Sequence, residues 1–397
     1  MSENLKRRIG LGLLTAYGTG VMIGAGIYVL VGAVAAQAGV NAPLSFILAG
    51  LIAAPTALSY SEFSTRIPEA AGEAAFVEKG FGLPVLGLIV GLCIVAAGTV
   101  SAAAVLKGGV GYLLAIVTIP EILAIVIVGA LLAGVAIIGV LESLALAAVF
   151  TVIEVVGLAL VVWAGFSAPA TADITVPAPM AFGGITAGAV LAFFAFIGFE
   201  DIVNMAEEVD RPERTMPRAI LLSLVITTAI YALVSWSAIR AVPLGQLGES
   251  RQPLALVWQA GQGGEARFLS AIAVFAALNG VLAQIVMASR VLFGLGRRHP
   301  SLGLFHRAHS KLGTPVIATL LVGGLVVAGA LILDLATLAE ATSSILLAVF
   351  VIVNLALIAI KRKATAEAAF QVPMAVPVFG FLLAAAALIL NLAGAGG

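Results

Sequence analysis

An all-α protein that threads a membrane many times is the fold class the sequence predicts, and three observations carry it. Of its 397 residues, 62% are hydrophobic and 10% charged, with a mean hydropathy of +1.18; soluble domains carry about 25% charged residues. Apolar runs of the roughly 20 residues that a membrane helix needs recur from one end of the chain to the other, leaving no polar stretch long enough for a soluble domain. Lys and Arg gather in alternate connections between those runs, as they do when loops on one side face the cytoplasm.

The runs number eleven, near residues 11–36, 43–65, 83–106, 121–140, 144–166, 184–208, 218–240, 267–294, 315–333, 337–360 and 373–393. The opening "MSENLKRRIG" is short and basic, and the run after it is longer than a signal-peptide core. It is therefore expected to stay as the first span. Asp334 and Glu340 mark the division between the ninth and tenth runs. With the N-terminus in the cytoplasm, only Lys107, Arg240, Arg251 and Arg267 fall outside, against the other sixteen of the 20 Lys and Arg. The expected placement is the cytoplasmic (inner) membrane, N-terminus inside and, after eleven spans, C-terminus outside.

Composition also excludes function classes. The formal net charge of zero implies no nucleic-acid partner. Cys93 is the only cysteine, so no intrachain disulfide forms and a cysteine metal cluster is not expected. His299, His306 and His309 fall among Arg, Pro and Lys on an inner loop, which reads as a solvated surface. No phosphate-binding loop or nucleophile–base set is visible. Neither an enzyme nor ATP-driven transport is expected, and no cofactor or bound metal.

Two runs are interrupted. In "VMIGAGIYVL" Gly24 and Gly26 flank Ala25 at mid-span, where each Gly costs a helix about 1 kcal/mol relative to Ala. The sixth run, "AVLAFFAFIGFEDIVNMAEEV", has Gly198 at its middle, with Glu200 and Asp201 just beyond. These are the first members of two consecutive sets of five spans, and an odd number per set inverts the second set. Paired Gly-interrupted segments at matching positions of two halves point to a transporter binding site. Unwound backbone at membrane depth is tolerated where it lines a cavity, and half-helix ends there present free N–H and C=O groups. Close helix packing is the other reading of the first-span glycines.

The segment "FFAFIGFEDIVNMAEEVDRPERTMPRAI", 193–220, resembles the sixth helix and following loop of the amino acid–polyamine–organocation transporters. The match lies in Gly198-Phe199-Glu200, Glu207-Glu208, Arg211-Pro212, Arg214 and Pro217-Arg218-Ala219-Ile220. Gly24-Ala25-Gly26-Ile27 resembles the family's first-helix Gly-x-Gly-Ile step, with weaker echoes at 139–158 and 288–305. The resemblance implies one transporter domain over 1–397 with a five-plus-five inverted-repeat, LeuT-like fold. Residues 11–166 and 184–360 would be the repeats and 373–393 an extra helix, with helices 1 and 6 unwound mid-membrane. It further implies that a substrate carboxylate rests on N–H groups of Gly24, Ala25 and Gly26, with Ile27 next. Carbonyls around Met22–Ile23 and Phe196–Ile197 would meet the ammonium. Helix ends of matching sign favour both contacts. Among Phe194, Phe196 and Phe199, the last is expected as a gate, each having core or lipid packing as its other reading. Glu200 is expected to stabilise the unwound segment, attract a cationic substrate, or cap the half-helix beside it.

Glu154 departs from the family pattern. Proton-coupled relatives often carry a lysine at this point of helix 5, where "TVIEVVGL" has a carboxyl. Burial disfavours the charged form, so Glu154 is a candidate to take up and release a proton. It could equally hold Na⁺ with helix 1 carbonyls and a hydroxyl such as Ser289, pair with a cationic substrate, or stay protonated against a neighbouring helix. The expected function is secondary active transport of amino acids or related amines by alternating access, coupled to H⁺ through Glu154. The alternatives are a polyamine or organic-cation exchanger, a Na⁺-coupled symporter and, from another class, a potassium uptake protein or channel. A lipid bilayer and a small amino acid or amine are the expected partners; the sequence is silent on oligomeric state.

Overall fold

The structure, a computed structural model, describes residues 9–24, 26–67, 72–138, 144–175, 182–205, 209–264, 266–309, 314–363 and 368–394. Among them the chain forms helices α1 (Leu11–Ile23), α2 (Gly26–Ala38), α3 (Ala42–Arg66), α4 (Gly72–Phe81), α5 (Pro84–Leu113), α6 (Glu121–Ile138), α7 (Leu144–Ser167) and α8 (Ala172–Thr175). There follow α9 (Phe182–Phe194), α10 (Pro212–Ala241), α11 (Leu244–Glu249), α12 (Pro253–Gln262), α13 (Arg267–Arg298), α14 (Val316–Ile332), α15 (Leu335–Arg362) and α16 (Ala375–Gly394). Among the described residues, eight helical stretches are long and apolar enough to cross a bilayer, while α1, α9 and α14 are shorter apolar helices. Among the described residues each expected run is largely helical, but the first divides into α1 and α2 and the sixth leaves the α-helix after Phe194.

Proline sets several starts. It stands in the first turn of α3, α5, α10 and α12, where its missing N–H is one the helix could not use anyway. The turn between α14 and α15 is tight because Asp334 caps α15: its carboxylate accepts the Thr337 N–H at 2.9 Å and the Thr337 hydroxyl at 2.7 Å. Those two donors, the backbone N–H foremost, hold the Asp334 carboxyl below the usual carboxylate range. The short helices α4, α8, α11 and α12 are connectors whose separate existence the hydropathy pattern does not reveal.

The outer surface is oily. Ile332 is 78% exposed, Ile122 69%, Val85 68% and Ile389 66%, a lipid-facing distribution that would be a liability in water. Inside, α13 packs along α5, α3 along α10, and α15 against both α5 and α16. Small polar side chains tie these interfaces together, since each buried polar group needs a partner. Asn354 of α15 donates to Thr56 Oγ1 (2.9 Å) and to Phe350 O (2.8 Å), and accepts from Ser59 Oγ (2.7 Å).

One turn beyond Ser59 lies the densest ionic knot. Glu62 is fully buried, with Arg66 Nη2 at 2.7 Å and Lys361 Nζ at 2.8 Å. Lys361 reaches both carboxylate oxygens, and Oε2 also accepts the Val372 N–H at 2.9 Å. One carboxylate thus binds α3, α15 and the segment leading into α16. Nearby, Lys363 Nζ donates to Gly80 O at 2.9 Å and joins α15 to the connector α4. Removing one member of a buried ion pair strands its partners. Glu62→Gln is therefore expected to lower stability by about 3 kcal/mol, read as a fall in the thermal unfolding midpoint of the purified protein; an unchanged midpoint would show the knot to be dispensable.

Candidate functional site

The two interrupted helices stop against each other. After α1, Gly24 returns its N–H to Gly20 O at 3.0 Å and leaves helical geometry at φ 19°, ψ −152°. After α9, the N–H groups of Ala195, Phe196 and Ile197 bond three residues back, to Ala192, Phe193 and Phe194, at 2.9, 3.0 and 3.2 Å. Gly198 then turns at φ 122°, a conformation that favours glycine, and a 3₁₀ turn covers Glu200–Met205. A Cβ on Gly26 would lie 3.0 Å from Ala195 Cα, and one on Gly198 would lie 2.5 Å from Val21 Cγ1 and 3.2 Å from Val21 C. Both glycines are therefore required by close backbone approach, each against the opposite break.

Sequence reasoning missed the residue that joins them. Tyr231 of α10 points its hydroxyl at Met22 O (2.6 Å) and Ala195 O (2.8 Å), the carbonyls at the ends of the two broken helices. A phenol has one proton to donate, so one hydroxyl serves two acceptors. Phe46 and Phe196 flank the ring edge-on at 5.6 and 5.2 Å. The only sequence signal was a Tyr inside an apolar span, in a chain with just 5 tyrosines.

Met22, Ile23, Gly24, Gly26, Ile27, Phe196, Ile197, Gly198 and Glu200 are all buried in this neighbourhood, and Ala25 lies outside the described residues, as do Glu207 and Glu208. Phe194 is buried in the core. Phe199 meets Tyr60 edge-on (5.8 Å) and Phe350 at a tilt (5.3 Å), so it forms a floor beneath the break, between α3 and α15. Glu200 turns its carboxylate back: Oε2 accepts the Gly198 N–H at 2.9 Å and satisfies a donor the break had freed.

Glu154 of α7 is 2% exposed. Tyr28 donates to its backbone carbonyl at 3.0 Å, and one turn earlier Thr151 donates to Ala16 O at 3.2 Å, so this face of α7 lies against α1 and α2. Neither carboxyl oxygen of Glu154 has a protein hydrogen bond; Asn279 of α13 is the side chain beside it. Ser289, the hydroxyl expected there, is ten residues farther along α13, about 15 Å at the helical rise, and donates to Val286 O at 3.0 Å. The reason is register: Asn279, three turns earlier, is the α13 position that faces α7 at this level.

A second acid sits below the break. Glu73 of the connector α4 is 5% exposed, with the Tyr60 hydroxyl, Glu200 and Asp201 as its titratable neighbours. Asp201 in turn faces Gln284 Nε2 at 3.5 Å. Burial pushes the Glu73 carboxyl up to about 7.

Over residues 9–396 the sequence matches the family described as amino acid permease. The chain belongs to the amino acid permease family. It is 30% identical to the branched-chain amino acid permease BcaP of Bacillus subtilis (strain 168), over 91% of this chain and 82% of the relative. It is 29% identical to the methylthioribose transporter of the same organism (95% and 86% covered) and 29% identical to the human cationic amino acid transporter 4 (86% and 57%). The permease is accordingly an integral membrane protein, and the two breaks are its candidate substrate site.

The raised Glu73 carboxyl has a thermodynamic consequence. A group whose folded pKa exceeds its unfolded value holds its proton more tightly in the native state, so stability is lost as pH rises from the unfolded value through the folded one and levels off above it. The permease should lose stability as pH rises through about 7, and Glu73→Gln should flatten that fall. Thermal unfolding in detergent across this range checks it; an equal decline in the variant would assign the effect elsewhere.

Proposed function

We propose that this permease is a secondary active transporter of amino acids or related amines, working by alternating access and coupled to protons through Glu154. The observation that carries the reading is the Tyr231 hydroxyl bridging Met22 O and Ala195 O. Those carbonyls lie at the negative ends of α1 and α9, where a cation is favoured. A substrate ammonium can donate three hydrogen bonds and so satisfy both carbonyls at once, as the phenol cannot. The start of α2 at Gly26 and Ile27 offers the opposite pole, free N–H groups suited to a carboxylate. The two breaks then form a zwitterion site built from backbone, leaving the side chain of the substrate to Phe196, Ile197 and their surroundings.

The five-plus-five inverted-repeat arrangement, 11–166 and 184–360, supports the same reading. Each repeat begins with a broken span, and rocking of one set against the other would expose the breaks to either side in turn. On this reading the basic connections face the cytoplasm together with the N-terminus, and after eleven spans the C-terminus lies outside. On the substrate, relatives of nearly equal identity carry names as different as branched-chain amino acid permease and methylthioribose transporter. The amino acid class rests on the zwitterion geometry and the family together. A cationic substrate is the second reading, favoured by Glu73, Glu200 and Asp201 gathered beneath the break.

Among the acids near the breaks, Glu154 has both carboxyl oxygens without a protein hydrogen bond, and it borders the first broken helix. A proton bound there neutralises it; release would leave a charge that must be compensated, either by substrate movement or by repacking of α7 against α1. With the protein in liposomes, Glu154→Gln is expected to abolish accumulation of labelled amino acid driven by an inward proton gradient while one-for-one exchange persists. Gradient-driven accumulation at the wild-type level would remove Glu154 from coupling, and accumulation driven by Na⁺ alone would replace the proton. Tyr231→Phe leaves two carbonyls without a donor; the expected result is uptake reduced about ten-fold, the effect of about 1.4 kcal/mol from a lost buried hydrogen bond. Wild-type uptake kinetics in that variant would take the bridge out of the transport cycle.

A further inference from the structure

The half-helix that follows the first break is fastened through one residue at both its backbone and its side chain. Tyr28, in the first turn of α2, is buried; its hydroxyl donates to Glu154 O at 3.0 Å, and its carbonyl accepts the Tyr112 hydroxyl of α5 at 2.6 Å. The two rings meet edge-on at 6.4 Å. On α7 the room for this contact is made by Gly157, where a Cβ would lie 3.0 Å from the Tyr28 hydroxyl oxygen and 3.0 Å from Ile272 Cγ2. Tyr28 follows Gly26 and Ile27, the start of α2 and the carboxylate pole of the proposed site. One side chain thus joins that pole to the backbone of the coupling candidate.

What surrounds Glu154 determines what this contact can sense. α7 packs on α1, α10, α12 and α13 and receives Tyr28 from α2. The ionisable groups near Glu154 are Tyr28 from α2 and Tyr231 from α10. α13 brings the neutral Asn279 amide, with Arg267 and Arg290 about 16 Å or more from it along the helix. Tyr17, the ionisable residue of α1, has Asp201 and Arg290 as its neighbours instead, and α12 carries no ionisable residue. Among the described residues, then, these elements set no cation against the carboxyl. The Tyr28 phenol has a single proton, and Glu154 O takes it. Towards the carboxyl beside it, the phenol oxygen can only accept: a protonated Glu154 can donate to it, and an ionised one repels it. We propose that Tyr28 is a positioning residue, docking the α2 half of the substrate site on α7 when Glu154 carries its proton and releasing it when Glu154 is ionised. This rests on the reading of Glu154 as the coupling group and deepens it. Proton and substrate favour the same docked arrangement, so each strengthens the binding of the other.

Docking can be measured in the purified full-length protein, without substrate or ion gradient. Spin labels are placed by Gln37→Cys, at the exposed far end of α2, and Val156→Cys, exposed on α7, in a Cys93→Ser background. Their separation is read by double electron–electron resonance at about pH 5 and about pH 10, which bracket the titration of buried carboxyls. The ratio of docked to undocked protein is expected to fall about five-fold at the higher pH, the effect of one buried hydrogen bond. Glu154→Gln, whose amide stays neutral and can still donate, should keep the docked distance at both pH values. Tyr28→Phe should show the looser distribution at both. A wild-type distance indifferent to pH overturns the proposal and leaves Tyr28 a fixed structural tie. So does a Glu154→Gln protein that drifts with pH as the wild type does, or a Tyr28→Phe protein that keeps the wild-type response. Coupling through Glu154 is read separately, by gradient-driven accumulation in liposomes, so failure of the Tyr28 linkage and failure of the transport reading are told apart.

Discussion

Hydrocarbon offers no hydrogen bonds, so a chain that unwinds within it must find partners for its own backbone. Most of the site follows from that constraint. The break between α1 and α2 and the break after α9 are tolerable because each is packed against the other, at Gly26 on Ala195 and Gly198 on Val21. The freed groups find partners locally: the Gly198 N–H donates to the Glu200 carboxylate, while Met22 O and Ala195 O share the single proton of the Tyr231 hydroxyl. Remove the contact between the breaks and both helices would have to reform or expose backbone to lipid. The same carbonyls and N–H groups, presented at helix ends of opposite sign, are what a zwitterion needs. On the proposed function, structural necessity and recognition draw on the same atoms.

The buried acids divide by how they are compensated. Glu62 is paired with Arg66, Lys361 and a backbone N–H, which makes it a permanent tie between α3, α15 and α16. Glu200 is occupied by Gly198. Glu154 has Asn279 beside it and no hydrogen bond on either oxygen. Only the neutral Asn279 amide stands beside it, so a change in its charge must be met by movement around it. That difference in compensation, more than position in the sequence, separates the tie from the proposed coupling group.

Much of this was legible before any coordinates. The alternation of apolar runs with basic connections marks the helices because burial in lipid demands apolar length and little else. Asp334 was legible as a divider because a short acidic residue between two apolar runs is a natural cap. The paired glycines at 24, 26 and 198 were legible because a helix weakened at its centre needs a reason. Tyr231 was not, since nothing local distinguishes a tyrosine that bridges two distant carbonyls from one that fills space. Ser289 was misplaced for a related reason: hydropathy tells that α13 crosses the membrane but not which of its faces meets α7 at the level of Glu154.

Composition and pattern alone thus determined a polytopic helical membrane protein, the places where two helices fail, and the unusual carboxyl in the fifth span. Each depends on residues close together in the chain, where period and polarity are read directly. Tertiary structure decided that the two failures meet, that Tyr231 joins them, and that Asn279 rather than Ser289 faces Glu154. The bridge from Tyr231 to Met22 alone joins residues 209 positions apart, and such register comes from how whole helices pack, which no local stretch encodes.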